Sequence, residues 1–149
     1  MPIGEICNRE VIIVQRDTTV QEAAQLMRQH HVGALVVVKE VSGKRKPVGL
    51  VTDRDLVVEV LATQLDAAVI TVGDIMLPEL GTVPENSGVF ETIQFMRTRA
   101  VRRLPVVDGQ GTLIGIVALD DLLALLAEEL SELSVLVSRE QEKESRGRR

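Results

Sequence analysis

The sequence has 149 residues, of which 45% are hydrophobic, and a formal net charge of −5. This length can form the core of one ordinary domain or of two very small ones, so we expect a globular protein. Binding to a phosphate backbone needs a basic surface and often aromatic platforms, whereas this chain is acidic and 1% aromatic. Neither nucleic acid nor a membrane surface is therefore an expected partner.

Targeting and metal signals are lacking in the sequence. No hydrophobic run approaches the roughly 18 residues that span a bilayer, and the first residues carry no basic region of a signal peptide. We therefore expect a cytoplasmic protein. Cys7 is the single cysteine, which excludes an internal disulfide, and two histidines without further cysteines do not make a zinc site.

In chain order, the first half predicts the pattern β-α-β-β-α. Residues 11–14 form a short β run, and a helix follows in which Val20, Ala23, Ala24 and Met27 share one face. Its cap is expected to be either Thr18 with Gln21 or Thr19 with Glu22. The remaining predicted elements are a buried strand at 32–38, a polar loop at 39–46, a strand at 47–52 and a helix at 53–62.

The second half predicts the same pattern. Its elements are a short extended segment at 82–83, a helix at 88–97, a strand at 104–107, a turn at 108–111, a strand at 113–118 and a final helix. The fold class is therefore α/β, with small sheets flanked by helices.

The two halves are an internal duplication. A shift of 69 residues aligns 20–38 with 89–107, where nine of nineteen positions are identical, and a shift of 66 aligns 49–56 with 115–122. A repeat of about sixty residues buries too little surface to stand alone. We therefore predict that the copies pack on one another about a pseudo-two-fold axis, with clefts between them.

The stretch Gly-Leu-Val-Thr-Asp-Arg-Asp-Leu at 49–56 is the strongest candidate site. It predicts a buried strand that runs into a helix start, where free backbone N–H groups and the helix dipole favour an anion. Thr52 would meet a phosphate and Asp55 two sugar hydroxyls. The alternative is a capping box, in which both side chains only satisfy N–H groups at the helix start.

With both copies aligned, the chain resembles a tandem pair of cystathionine-β-synthase-type (CBS) domains, also called a Bateman module. The motifs are Gly-Asp-Ile-Met at 73–76, Met-x4-Val-x2-Leu at 27–35 and 96–104, the segment 102–108, and the octet at 49–56. The resemblance covers residues 2 to about 130 and implies one CBS repeat over 1–66 and a second over 67–130. Residues 131–149 are expected to form a C-terminal helix extension and a disordered tail.

The resemblance also implies a function. Family members sense adenine nucleotides, and the expected ligands are AMP, ADP or ATP, or S-adenosylmethionine or NAD-like compounds, bound between the repeats with no obligatory cofactor. Two pairs often form a disc-shaped homodimer. The family position that holds the ribose hydroxyls matches Asp55 and Asp121, and the phosphate-binding hydroxyl matches Thr52.

Ala118 departs from the family pattern, because Thr or Ser usually stands there. Losing one hydrogen bond to a charged group costs about 1.5–3 kcal/mol, or about ten- to a hundredfold in affinity. We therefore expect the cleft with Thr52 and Asp55 to be the main site and the Asp121 cleft to be weak, empty or tuned to another ligand. The second repeat keeps the carboxylate of Asp121 but lacks the hydroxyl of a capping box. This favours a ligand role for Asp55 and Asp121 over capping.

Three arginines are further candidates. Arg102 and Arg103 stand at the entry of the strand predicted at 104–107. Adjacent strand side chains face opposite ways, so only one of the two is expected to face a cleft and bind phosphate. The alternative is that both are solvated at the strand entry. Arg54, in the first helical turn after Thr52, is another phosphate candidate or a partner in a surface ion pair.

By analogy with the family, the adenine would lie against the backbone near Ile13 and Thr82 and against Val32 and Val101. Core packing explains the two valines equally well.

The last helix carries a heptad seam. Leu119, Leu123, Leu126, Leu130, Leu133 and Val137 step by 4, 3, 4, 3 and 4, which predicts a helix to about residue 138 and then a frayed charged tail. This helix would either pair with its copy in a dimer, which we favour, or lie across its own domain.

We therefore expect a regulatory module that binds an adenine nucleotide and acts on another polypeptide. The alternative is a ligand-free dimerisation scaffold. An enzyme is not expected, because no nucleophile with a base, metal cluster or phosphate-binding loop is visible in the sequence.

Overall fold

The computed structural model describes residues 1–77 and 81–147. The chain divides into two compact units, one from Met1 to Val117 and one that begins at Ala118.

The first repeat supplies the elements α1 (Ile3–Ile6), β1 (Ile13–Val14), α2 (Val20–His30), β2 (Ala34–Val41), β3 (Lys44–Thr52) and α3 (Asp53–Leu56), followed by a π-helical turn at Val57–Leu61. The second supplies α4 (Val72–Ile75), β4 (Val83–Pro84), α5 (Val89–Arg99), β5 (Arg103–Val107), β6 (Leu113–Ala118) and α6 (Leu119–Gly147). The predicted α/β class and the β-α-β-β-α pattern in both halves are confirmed.

The strands form two three-stranded sheets of the same design. The orders are β1-β2-β3 and β4-β5-β6, and in each sheet the short first strand runs parallel to the central one. The central strands are the buried ones: Leu35, Val36 and Val37 in β2 and Val106 in β5 have no exposed surface. Continuous apolar runs are what a strand covered on both faces requires.

Helix α2 starts with the capping box of Thr19 and Glu22. The Thr19 hydroxyl accepts from the Glu22 N–H at 3.1 Å, and the Glu22 carboxylate accepts from the Thr19 N–H at 3.4 Å. Of the four residues predicted to share the core face, Ala24 is exposed, so that part of the prediction is wrong.

The segment predicted as a polar loop, residues 39–46, is mostly strand. Strands β2 and β3 continue through it and are joined by a two-residue turn at Ser42 and Gly43, whose φ angles are 53° and 76°. Two positive φ angles give a tight turn whose twist matches that of the flanking strands. The polar side chains here are solvated on an extended hairpin, and polarity alone does not distinguish that hairpin from a loop.

The two repeats exchange their short opening helices. At α1, the Gly4 N–H donates to the Glu85 carbonyl at 2.8 Å, and at α4 the Gly73 N–H donates to the Arg16 carbonyl at 2.9 Å. Val72 of α4 belongs to the core cluster of the first repeat. The predicted packing of one copy on the other is therefore made by backbone pairing as well as by apolar contact.

Helix α6 runs to Gly147, so the predicted end near residue 138 is wrong. Residues 139–146 are mostly Arg, Glu, Gln and Lys, which are strong helix formers, and Glu142 precedes Arg146 by four residues. Of the predicted frayed tail, residues 148–149 lie outside the described residues. Within residues 1–77 and 81–147, no helix is long and apolar enough to cross a membrane.

Candidate functional site

A cleft of about 300 Å³ opens where the end of β3 meets the start of β5. The first repeat contributes the β3–α3 junction, and the second contributes the segment that leads into β5. The lining residues are Leu50, Thr52, Asp53, Arg54, Asp55, Leu77, Gly81, Val101, Arg102, Arg103 and Leu104. The cleft therefore lies between the repeats and within the first compact unit.

Thr52 and Asp55 form a capping box on the wall of this cleft. The Thr52 N–H donates to Asp55 Oδ2 at 2.9 Å, and the Asp55 N–H donates to Thr52 Oγ1 at 3.2 Å. The capping bonds of the alternative interpretation are therefore present, and whether the pair also binds a ligand stays a prediction. Both side chains are half-buried and held in one rotamer by reciprocal bonds.

Capping leaves bonding capacity on both side chains. An ionised carboxylate has about four lone-pair sites, and a hydroxyl that accepts can still donate its own proton. Asp55 Oδ1 accepts no hydrogen bond from the described residues. The Thr52 hydroxyl accepts from the Asp55 N–H and donates its proton to none of the described residues. The box therefore holds a residual acceptor and a residual donor on two residues of the cleft lining.

Arg54, Arg102 and Arg103 all line the cleft. We expected only one of Arg102 and Arg103 to face the cleft, because strand neighbours alternate, whereas both belong to its lining. β5 begins at Arg103, and Arg102 lies in the bend before it, where strand alternation does not apply.

The charge of the cleft differs in sign from that of the whole chain. Three guanidinium groups and the carboxylates of Asp53 and Asp55 give a formal charge of 3 − 2 = +1, whereas the protein carries −5. Guanidinium groups bind phosphate oxygens in a bidentate fashion. The arrangement is suited to an anionic group.

The apolar part of the lining includes Leu50, Leu77 and Leu104, which the sequence analysis did not single out. Strand alternation identifies Leu50: Val51 beside it is fully buried, so Leu50 faces the other side of β3. Gly81 is also part of the wall, and a Cβ there would stand 2.9 Å from the Phe95 ring. No local pattern in the sequence marks Leu77 or Gly81.

Of the ten predicted site residues, the structure brings six to this cleft: Thr52, Arg54, Asp55, Val101, Arg102 and Arg103. Ile13 lines a different surface depression together with Gln15 and Gln29. Val32 packs against the core cluster of the first repeat, and Thr82 lies half-buried before β4. Their roles at a ligand remain predictions.

Asp121, the tenth residue, belongs to the second compact unit, at the start of α6. Its Oδ2 accepts from the Ala118 N–H at 3.0 Å. The carboxylate thus caps the helix without a threonine hydroxyl. We expected the presence of Asp121 without the hydroxyl to favour a ligand role over capping, but a carboxylate that caps the helix alone does not distinguish the two roles.

The sequence model of the CBS domain family matches residues 3–62 and 72–128. The chain belongs to the CBS domain family. Among curated relatives, the CBS domain-containing protein YhcV of Bacillus subtilis is 42% identical over 120 residues, covering 80% of this chain and 81% of YhcV. Protein MK0525 of Methanopyrus kandleri is 39% identical over 121 residues, which are 81% of this chain and 60% of MK0525. The chain thus spans about three fifths of that relative.

A solved structure shows the same fold. The CBS domain pair of protein MJ0100, crystallised with 5′-methylthioadenosine and S-adenosylmethionine, matches with a TM-score of 0.75 at 25% identity, covering 87% of this chain and 98% of that chain. CBS domain pairs are regulatory ligand-binding modules, and that of MJ0100 binds adenosyl ligands.

Proposed function

We propose that this CBS pair is a non-enzymatic sensor of an adenine nucleotide, AMP, ADP or ATP, bound in the cleft between its repeats. The observation that carries the proposal is the meeting of an oriented hydroxyl–carboxylate pair with three arginines around one partly apolar cavity. A nucleotide needs these three chemistries together: an apolar wall for the base, an acceptor for the ribose and cations for the phosphates.

Asp55 supplies the ribose contact. Its Oδ2 is held by the Thr52 N–H, so Oδ1 is the oxygen presented to the 2′- and 3′-hydroxyls. The base then packs against the apolar lining around Leu50 and Val101. A cavity of about 300 Å³ is at the small end of the range for ligand sites, which favours a mononucleotide over a dinucleotide such as NADH.

The arginines favour an anionic ligand over S-adenosylmethionine. The sulfonium of that compound is a cation and would face Arg54, Arg102 and Arg103, whereas phosphate oxygens gain charge-assisted hydrogen bonds from the same groups. Each such bond contributes about 1.5–3 kcal/mol. We therefore rank ATP and ADP above AMP, and AMP above S-adenosylmethionine, as ligands of this chain.

Regulation would follow from the position of the cleft. A ligand that bonds both Asp55 of the first repeat and Arg103 of the second favours one relative arrangement of the two repeats. The difference between its affinities for the favoured arrangement and for the others sets how far it can shift that equilibrium, and hence the activity of a partner protein. We propose that the output passes to another polypeptide and that the globular units associate as a disc-like homodimer. The second site, at Ala118 and Asp121, is proposed to be the weaker one.

A ligand-free scaffold is the second candidate, and the exposed apolar seam of α6 favours it. The two functions are separated by calorimetric titration of the purified protein with ATP, ADP, AMP, S-adenosylmethionine and NADH. The sensor proposal expects saturable binding of ATP or ADP with at least about tenfold preference over S-adenosylmethionine. Absence of binding by all five compounds would refute it and leave the scaffold.

A further inference from the structure

Helix α6 presents a long apolar face to solvent. It spans 29 residues, or about 43 Å at 1.5 Å per residue, and every residue from 126 to 147 is exposed. Leu130 and Leu133, in the middle of the seam, are 67% and 58% exposed. Because most of the stability of helices comes from packing an apolar face, a helix of this length with an uncovered seam needs a partner.

The spacing of the seam identifies what the partner must provide. The heptad steps that link Leu123, Leu126, Leu130, Leu133 and Val137 are those of a coiled coil, in which each side chain inserts between side chains of a helix with the same spacing. A second copy of this chain carries that spacing by definition. Its α6 is therefore the occupant that fits the seam.

The distribution of charge determines the direction of pairing. Residues 119–137 contain five acidic and no basic residues, whereas residues 138–149 contain five basic and three acidic residues. A parallel pair would set the two acidic halves side by side and would also place Glu140, the next seam position, against its own copy. Within α6 itself, residues 138–147 contain three basic and three acidic residues, so an antiparallel pair sets each acidic half opposite a half of the other helix that has no net charge.

The positions of the leucines and of the acidic residues also favour one register. Centring the pair between residues 131 and 132 places Leu130 opposite Leu133 of the second copy and Leu126 opposite Val137. A register centred at residue 128 would bring the two copies of Glu129 together at the middle of the interface. We propose that α6 is a self-association element that forms an antiparallel two-helix pair with α6 of a second copy, centred at residues 131–132. This pairing is independent of the nucleotide proposal.

The test is a distance measurement between spin labels on two copies of the full chain, in a Cys7→Ser background. Ser131 and Ser145 are both exposed on α6 and are replaced by cysteine one at a time. Antiparallel pairing places Ser131 labels within about 25 Å of each other, since paired helices lie 8–10 Å apart. It separates Ser145 labels by about 40 Å, because each lies about 13.5 residues from the centre. A parallel pair would give short distances at both positions.

A matched pair of substitutions ties the signal to the seam. Leu133→Glu places a charge in the centre of the interface, whereas Val135→Glu changes an exposed residue on the opposite face of the same helix. We expect Leu133→Glu to remove the short Ser131 distance and to raise the dissociation constant of the pair more than about tenfold, with Val135→Glu leaving both unchanged. The proposal is overturned by short distances at both labels, by no short distance at Ser131, or by a Ser131 distance that survives Leu133→Glu.

Discussion

Replacing Asp55 by alanine separates its two roles, capping and ligand binding. The substitution removes the 2.9 Å bond from the Thr52 N–H, and loss of such a helix-start interaction costs about 1 kcal/mol, within a range of 0.5–2. If Asp55 also bonds the ribose, nucleotide affinity falls by the value of a charged hydrogen bond, about 1.5–3 kcal/mol, or about ten- to a hundredfold.

Asp74→Ala is the matched control. Asp74 also accepts from the N–H of a helix-start threonine, Thr71, at 2.9 Å, but it is not part of the cleft lining. Both variants should therefore lose similar stability, while only Asp55→Ala loses ATP affinity.

The assay combines thermal unfolding with calorimetric titration of ATP at 25 °C. A domain of ordinary stability remains folded there after losing about 1 kcal/mol, so weakened binding cannot be attributed to unfolding. Equal ATP affinity in wild type and Asp55→Ala, or an equal loss in Asp74→Ala, would refute the ribose role and leave capping as the whole function of the pair.

Three further predictions concern the arginines, the packing between repeats and one turn. Arg102→Ala and Arg103→Ala should each weaken ATP binding by about tenfold or more while changing binding of uncharged 5′-methylthioadenosine little; equal losses for both ligands in titrations would argue against phosphate contacts. Gly115→Ala should lower the free energy of unfolding by about 1–3 kcal/mol, since the added Cβ would stand 2.8 Å from the Asn8 carbonyl oxygen. Gly109→Ala is the control, because a Cβ there meets open space. Equal melting temperatures of the two variants would contradict this prediction. Backbone N–H groups of Thr112 and Gln110 hold the pKa of Asp108 below its usual value, so its stabilising effect is present above the ordinary aspartate pKa and lost as pH falls through the lowered one. The stability difference between wild type and Asp108→Ala should therefore shrink from pH 7 to pH 3 in melting experiments, and a constant difference would disprove the effect.

Periodicity in the sequence predicted the layout of the fold because, in each repeat, the local pattern of apolar residues agrees with the helix or strand that forms there. The apolar run at Leu35–Val38 is short and rich in valine, which favours a covered strand, and the duplication then predicts the second sheet from the first. The hairpin was misjudged because its extension is polar on both faces, and the turn at Ser42 and Gly43 carries no Asn-Gly or Asp-Gly signal. The helix end was misjudged because a charged segment of strong helix formers continues a helix as readily as it frays.

The candidate site was predictable only where its residues lie within one motif. Thr52, Arg54 and Asp55 are close in sequence, and a strand-to-helix junction brings them together. Leu77 joins the cleft through tertiary packing, since the α4 segment that precedes it belongs to the exchanged opening helices, and an exchange between repeats leaves no local pattern. Arg102 and Arg103 both belong to the cleft lining, and Arg102 lies in a bend before β5, where the alternation of strand side chains does not apply.

Methyl NMR during an ATP titration shows whether an adenine nucleotide occupies the cleft between the repeats. Leu50, Leu77, Val101 and Leu104 line the cleft, whereas Val41, at the hairpin end of β2, is exposed and is not part of the lining. We predict saturable shifts of the methyl groups of the four cleft residues at one common dissociation constant, with those of Val41 nearly unchanged. Saturable shifts elsewhere with the cleft residues unmoved, or no saturable shift at any methyl group, would contradict nucleotide binding in the cleft.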